Sequence, residues 1–328
     1  MLAGIFSPPK FLPSLSKFFQ WKFNAWLIKL LPFAISRRYL IILGWLYYLC
    51  KPGEKALISD CLARVTRGWL SPREQRRITK QTFRGIFDHY HEKLFVAYTR
   101  LARTLKFLRE RVQTDNEACL REALAAGKGV LLVTAHFGAV ELLPGALAQK
   151  GYPVSMICRF QTSRLRDTLV EKAKAVNLNI IDADAGNILY GALKALKNGH
   201  ILITECDEFD EWRLTDQKEI RFLGAKLGLD RTLDLLQKRS GAPVVSVLCH
   251  RHGKQQYSLQ FTPVVDPARA ASRNNVAAEA LHILEAATQT APAQWYQWKK
   301  FGQMMKPQWQ EADTAYPDDA WLAPGLAA

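Results

Sequence analysis

Apolar side chains recur with a helical period near the start of the chain. In residues 16–31 the apolar groups lie three or four positions apart, and two lysines share another face. Residues 39–50 (YLIILGWLYYLC) are uniformly apolar, but a spanning helix needs roughly 20 such residues. We therefore predict amphipathic and apolar helices that lie in a membrane interface. A single tilted span over 30–50 and a buried helical hairpin are the alternatives.

The pattern changes twice further along the chain. Residues 54–113 have a charged, helical pattern, whereas from residue 114 helical segments alternate with short apolar strands that each follow a Gly turn. The predicted strands are 130–135, 154–158, 200–205 and 244–249. This alternation predicts an α/β fold with a mainly parallel central sheet and helices on both faces.

The C-terminal part contains a further motif. The sequence VVSVLCH-RHGK-QQYSLQFTPV reads as a hairpin, so we expect an antiparallel pair near the C-terminus. Residues 276–291 predict a helix. The predicted regions are membrane-associated helices (1–53), a basic helical segment (54–113), an α/β core (114–306) and a surface tail (307–328).

Positive charge is concentrated in the first third of the chain. Residues 1–113 carry 21 Lys and Arg against 6 Asp and Glu, whereas residues 114–328 carry 24 of each sign. The basic third is also rich in Phe and Trp. Basic and bulky apolar groups together favour an anionic lipid surface over a nucleic-acid groove, so we expect no nucleic-acid partner.

The six cysteines are scattered, without a CxxC pair or a zinc-ligand spacing. This usage predicts reduced thiols in a cytoplasmic setting. The first residues also lack the pattern of a cleavable signal peptide.

Polar side chains follow three of the predicted strands. His136 follows the first strand and Arg159 the second, and Glu205 and Asp207 end the third. In open α/β sheets, sites gather at the carboxyl ends of the strands. Arg166, on the next predicted helix, could join Arg159 as an anion ligand.

The spacing of His136 and Glu141 suggests a general base. On a regular helix the two side chains would point about 140° apart. If His136 lies on a strand-to-helix turn, Gly138 lets the chain bend and the carboxylate approaches the imidazole. Such a pair can draw a proton from an alcohol.

Three other polar runs have simpler interpretations. The sequence HYHE at 89–92 predicts a solvated helix face, with a metal site as the alternative. The sequence HRHG at 250–253 predicts a solvated hairpin turn. The acidic run 205–211 could bind a cation, but a solvated loop with one site carboxylate is the simpler account.

The order of these motifs resembles the bacterial lipid A late acyltransferases, the lauroyl and myristoyl transferases of the H-x4-D/E glycerolipid acyltransferase superfamily. Their pattern G-x-G-V-x-L-x-T-x-H-F-G-N-W-E is similar to GKGVLLVTAHFGAVE at 127–141. The resemblance continues through CRF (158–160), LKALKNGHILITECD (193–207), residues 220–245 and PAQWYQWKK (292–300). It departs where Ala139-Val140 replaces Asn-Trp and where Trp298-Lys299-Lys300 replaces His-Arg-Arg.

The resemblance implies transfer of a fatty acyl chain from an acyl carrier protein or coenzyme A thioester to a hydroxyl of an anionic membrane lipid. The expected acceptor is a lipid A precursor, and the expected location is the cytoplasmic face of the inner membrane. The departures leave an ornithine lipid, a glycolipid or a pigment as alternative acceptors. A non-catalytic membrane-binding protein that keeps the fold is the alternative function.

The resemblance also implies roles for particular residues. His136 would be the base and Glu141 its charge partner, with no metal or organic cofactor. Arg159 would bind a phosphate or acidic head group, and Asp207 would shape the site. The predicted substrate-binding residues are Arg159, Asp207, Glu205, Gly138 and Arg166.

Overall fold

The computed structural model describes residues 13–265 and 276–315. The helices are α1 (Leu15–Phe19), α2 (Lys22–Leu30), α3 (Phe33–Cys50), α4 (Pro52–Val65), α5 (Pro72–Tyr98), α6 (Leu101–Arg111), α7 (Glu117–Ala125), α8 (Leu143–Gln149), α9 (Ser163–Lys174), α10 (Ile188–Lys197), α11 (Thr232–Ser240), α12 (Val276–Thr290) and α13 (Trp298–Ala315). The strands are β1 (Val112–Asp115), β2 (Val130–Thr134), β3 (Val154–Cys158), β4 (Leu178–Asp182), β5 (Ile201–Glu205), β6 (Leu214–Phe222), β7 (Ala225–Asp230), β8 (Val244–Arg251) and β9 (Tyr257–Val265).

A seven-stranded sheet in the order β1-β9-β8-β2-β5-β3-β4 forms the centre of the fold. Neighbouring strands are parallel except β8 and β9, which form the antiparallel hairpin. The mainly parallel sheet and the hairpin near the C-terminus are therefore confirmed. The four predicted strands correspond to β2, β3, β5 and β8. A second sheet pairs β6 with β7 in antiparallel fashion.

Both faces of the central sheet are covered by helices, as predicted. Val130 and Leu132 of β2 pack in a cluster that includes side chains of α6, α7 and α8. Leu131 and Val133 pack on the opposite face with side chains of α10, α11 and α12. Every residue of β2 is buried, and each buried Val or Leu side chain contributes about 1.5–3 kcal/mol relative to exposure.

Helix α5 is the long element on which the N-terminal helices pack. It begins with a capping box, in which the Ser71 hydroxyl accepts from the Glu74 amide and the Glu74 carboxylate accepts from the Ser71 amide at 2.9 Å. Helix α3 lies against α5 so closely that a Cβ on Gly44 would come within 2.4 Å of the Phe87 ring. Only a glycine therefore fits at this crossing.

The opposite side of α2 and α3 carries exposed apolar groups. Pro32 precedes α3 as its N-cap residue, and the helix runs unbroken from Phe33 to Cys50, longer than the 39–50 segment that the apolar pattern marked. Large exposed side chains on these helices include Trp21, Phe23, Trp26, Ile42, Leu46 and Leu49. Within the described residues, no helix has both the length and the apolarity that a bilayer crossing requires.

The C-terminal helix differs from the prediction of a tail from residue 307. Helix α13 continues through Pro307 to Ala315. Gly302 of α13 lies against Cys61 of α4, where an added Cβ would meet the Cys61 Cβ at 3.1 Å. Residues 316–328 of the predicted tail lie outside the described residues.

Candidate active site

His136 lies directly beyond the carboxyl end of β2, beside the end of β5. Its backbone amide donates to both carboxylate oxygens of Asp207 at 3.1 and 3.0 Å, and its Nδ1 lies 3.0 Å from Asp207 Oδ1. The indole of Trp295 donates to the other oxygen at 2.8 Å, and Asp207 is fully buried. Gln297 Nε2 also lies 3.0 Å from Nδ1 of His136, so the ring is fixed from its Nδ1 side.

Nε2 of His136 faces two more carboxylates. Glu208 Oε1 lies 3.2 Å from this nitrogen and Glu205 Oε2 lies 3.6 Å from it. The ammonium of Lys300 forms ion pairs with Glu208 and with Asp210, the latter at 3.2 Å. Asp207, Glu205 and Glu208 form the carboxylate cluster, which surrounds one imidazole.

The carboxylate cluster controls protonation in the site. Burial disfavours the imidazolium of His136, but the negative charges of Glu205, Asp207 and Glu208 outweigh burial and raise the pKa of His136 to about 10. Burial, opposed by His136, raises the pKa of Glu205 to about 7. The imidazole thus holds a proton at neutral pH. A bound group that neutralises the cluster, or that separates Glu208 from the ring, would lower the pKa of His136.

The predicted pairing of His136 with Glu141 needs correction. Glu141 forms an ion pair with Lys93 at 2.9 Å and lies 3.6 Å from Nε2 of His89. The carboxylate that contacts Nδ1 of His136 is Asp207. The reason is topological, because β5 lies next to β2 and delivers Asp207 to the back of the ring. Glu141 nevertheless lines the same cavity as His136.

The turn between them follows the predicted conformation. Gly138 has φ +58°, and a Cβ there would lie 1.6 Å from the carbonyl oxygen of Cys249. Its amide donates to the carbonyl of Gln294 at 2.8 Å. Glu141 then lies in a short 3₁₀ helix, Val140–Leu142, instead of a first α-helical turn. Gly138 contacts the backbone of Cys249 and Gln294 and is not among the residues that line the cavity, and its part in substrate binding remains a prediction.

The two predicted anion-binding arginines lie in different places. Arg159 lines the cavity that contains His136, and its guanidinium pairs with Asp184 at 3.1 Å and with Glu211. Arg166 pairs with Asp182 and lines a separate pocket of about 280 Å³. The structure therefore brings Arg159, but not Arg166, to the cavity of His136.

A cavity of about 1470 Å³ opens in front of His136 and extends beneath α6, α8 and α9. His136, Glu141, Glu205 and Glu208 lie on its polar wall. Its apolar wall includes Leu105, Leu108, Met156, Leu169, Val176 and Leu178. A cavity with both polar and apolar walls suits a substrate that joins a hydrocarbon chain to polar groups.

Of the two runs predicted to be solvated, 89–92 is largely buried, whereas 250–253 is half-buried at His250 and Arg251 and exposed at His252 and Gly253. His89 is buried, stacks on Tyr296 with the ring centroids 4.0 Å apart, and faces Glu141. The Arg251 guanidinium donates to both oxygens of buried Glu92 at 2.9 and 2.7 Å. The prediction for 89–92 was wrong because α5 is covered on this face by the hairpin β8–β9 and by the cavity wall.

Several groups at the site were not singled out from the sequence. Lys93 directly follows the HYHE run, so the local pattern suggested a solvated position. Trp295, Tyr296 and Lys300 lie in the PAQWYQWKK block, which was noted for resemblance alone. This block has several aromatic residues in a short polar segment, and that density could have marked it as part of a site.

The site also has a metal-compatible arrangement. Among the described residues, the ligand atoms of His136, Glu205 and Glu208 all lie within 4.8 Å of one another. A nitrogen and two carboxylates could hold a divalent cation. The prediction that transfer requires no metal remains a prediction.

The comparisons with known proteins bear on the whole chain. A family model described as bacterial lipid A biosynthesis acyltransferase matches residues 9–304, which include the whole wall around His136. Comparison with curated proteins gives no significant match. The family match agrees with the resemblance carried by the ordered motifs. The chain belongs to the bacterial lipid A biosynthesis acyltransferase family.

Proposed function

We propose that this acyltransferase moves a fatty acyl chain from a thioester, carried by acyl carrier protein or coenzyme A, to a hydroxyl of a lipid A precursor. The observation that carries the proposal is the imidazole of His136, held by Asp207 on the wall of a large cavity with both polar and apolar lining. Family membership supplies the reaction class.

The chemistry assigned to His136 is general-base catalysis. Nε2 takes the proton of the lipid hydroxyl while the alcohol oxygen attacks the thioester carbonyl carbon. The carbon–oxygen bond forms, the carbon–sulfur bond breaks, and the departing thiolate receives the proton from the imidazolium. Asp207, at 3.0 Å from Nδ1, stabilises the imidazolium between these steps.

Glu141 has a different role in this proposal from the one expected. Its ion pair with Lys93 places a neutralised pair on the cavity wall, next to the carboxylate cluster. Lys93 also interacts with the negative charge of Glu205 and so offsets part of the charge of the carboxylate cluster. We infer that Glu141 positions Lys93 and that Asp207 is the direct partner of the imidazole.

The proposed location is a membrane surface. Trp21, Phe23 and Trp26 are exposed near Lys22 and Lys29, which is the mixture that a headgroup region accepts. Each basic residue near an anionic surface contributes on the order of 1 kcal/mol. Ser14, Leu15 and Tyr48 of the same N-terminal region line the cavity. A lipid acceptor would therefore reach His136 from the side of these helices.

The test is acyl transfer by the purified protein on vesicles that contain a lipid A precursor, with acyl-carrier-protein and coenzyme A thioesters supplied separately. Mass spectrometry should show one added acyl mass on the precursor. His136→Ala should lower the rate by roughly 10²–10⁴-fold, and Asp207→Asn should lower it strongly. Glu141→Gln should have the smaller effect because it leaves the ring contact intact.

Vesicle flotation provides the control, since the His136→Ala protein should bind vesicles as the wild type does. No product from the wild type, with vesicle binding intact, would show a non-catalytic membrane-binding protein. Equal product from wild type and His136→Ala would show that His136 is not the base. Full activity of Asp207→Asn together with an inactive Glu141→Gln would return the partner role to Glu141.

A further inference from the structure

The hydroxyl of Tyr296 is buried and makes no hydrogen bond to any residue within 13–265 and 276–315. Tyr296 nevertheless lines the cavity in front of His136. An unsatisfied buried polar group costs about 1–3 kcal/mol, and most such groups have partners in folded proteins. The hydroxyl therefore marks a position where a polar atom of a bound molecule is expected.

The ring of Tyr296 is held in place beside the base. Its backbone amide donates to the carbonyl oxygen of His136 at 3.2 Å. The ring stacks on His89, and it meets the His136 ring edge to face with the centroids 5.3 Å apart. A donor fixed in this way needs no reorganisation when charge develops nearby.

Two cationic donors near His136, Lys93 and Lys300, already have partners. Lys93 pairs with Glu141 at 2.9 Å, and Lys300 pairs with Glu208 and Asp210. A negative oxygen that forms beside the carboxylate cluster is opposed by its charge. Among the described residues of this wall, two buried polar atoms lack a hydrogen-bond partner, the Tyr296 hydroxyl and Nδ1 of His89, and Tyr296 is the one whose ring contacts His136 edge to face at a centroid distance of 5.3 Å.

Tyr296 also keeps its proton under working conditions. Burial, together with the negative charges of Glu141, Glu205 and Asp207, raises the pKa of the phenol well above its usual range. The group is therefore a neutral donor.

We propose that Tyr296 is a catalytic residue whose hydroxyl donates a hydrogen bond to the thioester carbonyl oxygen as that oxygen becomes the oxyanion of the tetrahedral intermediate. This inference rests on the proposed acyl transfer at His136. As the alcohol oxygen adds to the carbonyl carbon, the carbonyl π electrons move onto the oxygen that Tyr296 contacts. They return when the carbon–sulfur bond breaks and the thiolate takes the proton held by His136.

The experiment compares two variants that each delete one buried hydroxyl. Tyr296→Phe removes the proposed donor, and Tyr98→Phe is the matched control. The Tyr98 hydroxyl is also buried without a partner, but Tyr98 lies outside the cavity lining, with its ring facing Arg164 at 5.2 Å. Transfer from the acyl thioester is measured on vesicles, together with urea denaturation.

Tyr296→Phe should lower kcat by roughly 10²–10³-fold, as loss of one oxyanion donor does elsewhere, with little change in KM for the thioester. Its stability should equal or exceed that of the wild type, because an unsatisfied hydroxyl is removed. Tyr98→Phe should leave kcat unchanged.

A kcat of Tyr296→Phe within twofold of the wild type would overturn the inference. A parallel loss of stability and kcat would show a structural role and would overturn it as well. If Tyr296→Phe is active while His136→Ala is not, the inference fails and the proposed function stands. If both variants match the wild type, the proposed function fails too.

Discussion

Two consecutive residues of helix α5, Glu92 and Lys93, belong to two different groups of charged side chains, one buried and one at the cavity. Glu92 forms a two-oxygen pair with Arg251, in which the Glu92 side chain is 2% exposed and the Arg251 side chain 13%. Lys93 instead reaches Glu141 on the wall of the cavity. The next group on that wall is His136, with the carboxylate cluster around it.

The difference between the clusters concerns charge balance and access. In the Glu92–Arg251 pair, one positive group meets one negative group, and its guanidinium and carboxylate satisfy each other. Around His136 three carboxylates meet one imidazole beside an open cavity. Removing one partner from a closed, balanced pair leaves a buried charge without its counterion, whereas an open cluster with unequal charge beside a cavity is typical of a reacting site.

The largest effect should come from breaking the closed pair. Glu92→Ala leaves the Arg251 guanidinium buried without its partner, and we expect a loss of about 3–5 kcal/mol in the free energy of unfolding. Urea denaturation measures this loss. Lys106→Ala, in the exposed Lys106–Glu110 pair at 3.9 Å, should change stability by less than about 1 kcal/mol. A similar small change for Glu92→Ala would contradict the comparison.

A smaller effect should appear in the pH dependence of stability. The folded pKa of Glu205 is raised to about 7 from an unfolded value near 4.5, so the folded state binds the proton more tightly. Stability should therefore fall as pH rises through this window. The pKa of His136 is also raised in the folded protein, from 6.5 to about 10. The free energy of unfolding should therefore continue to fall at higher pH.

Glu205→Gln should flatten this fall by about 1–3 kcal/mol between pH 5 and 8, measured by denaturation at each pH. The exposed Glu219 gives the control, since Glu219→Gln should follow the wild-type curve. If the free energy of unfolding fell with pH equally in Glu205→Gln and in the wild type, the pKa of Glu205 would not be raised, and the comparison of the two clusters would fail.

The smallest effect on stability should come from an exposed pair at the cavity. Arg159→Ala should change the free energy of unfolding by less than about 1 kcal/mol, since exposed pairs contribute little. It should raise KM for the anionic lipid by about tenfold, the loss of one charge-assisted contact. Arg121→Ala, in the exposed Arg121–Glu117 pair on α7, should leave KM unchanged. An unchanged KM for Arg159→Ala would remove Arg159 from the binding site.

The parallel sheet could be predicted because its central strands are apolar throughout. Residues of β2 and β5 are buried on both faces, so VLLVT and ILITE stand out from the helices between them. Strand β1 was missed because VQTD is polar and short and follows a helical pattern directly. Strand β4, with its alternating LNIID, lies at the sheet edge and is only partly buried.

The sequence predicted where the site lies but not which carboxylate contacts His136. Strand ends marked His136 and Asp207, and the sheet order brought them together. Spacing along the chain favoured Glu141 as the partner, because neighbours in sequence are visible and neighbours across a sheet are not. Lys93 and Tyr296 come from α5 and from the segment before α13, whose approach depends on tertiary packing.

The close contact of Gly44 with Phe87 has a mechanical consequence. Helix α5 is one rod of 27 residues, about 40 Å long, and the missing side chain at position 44 lets α3 lie directly upon it. The exposed Ile42 and Leu46 are thereby held on the same rigid pair of helices. In the proposed membrane-bound state, the depth of these side chains in the lipid layer would set how far a lipid hydroxyl must rise to meet Nε2.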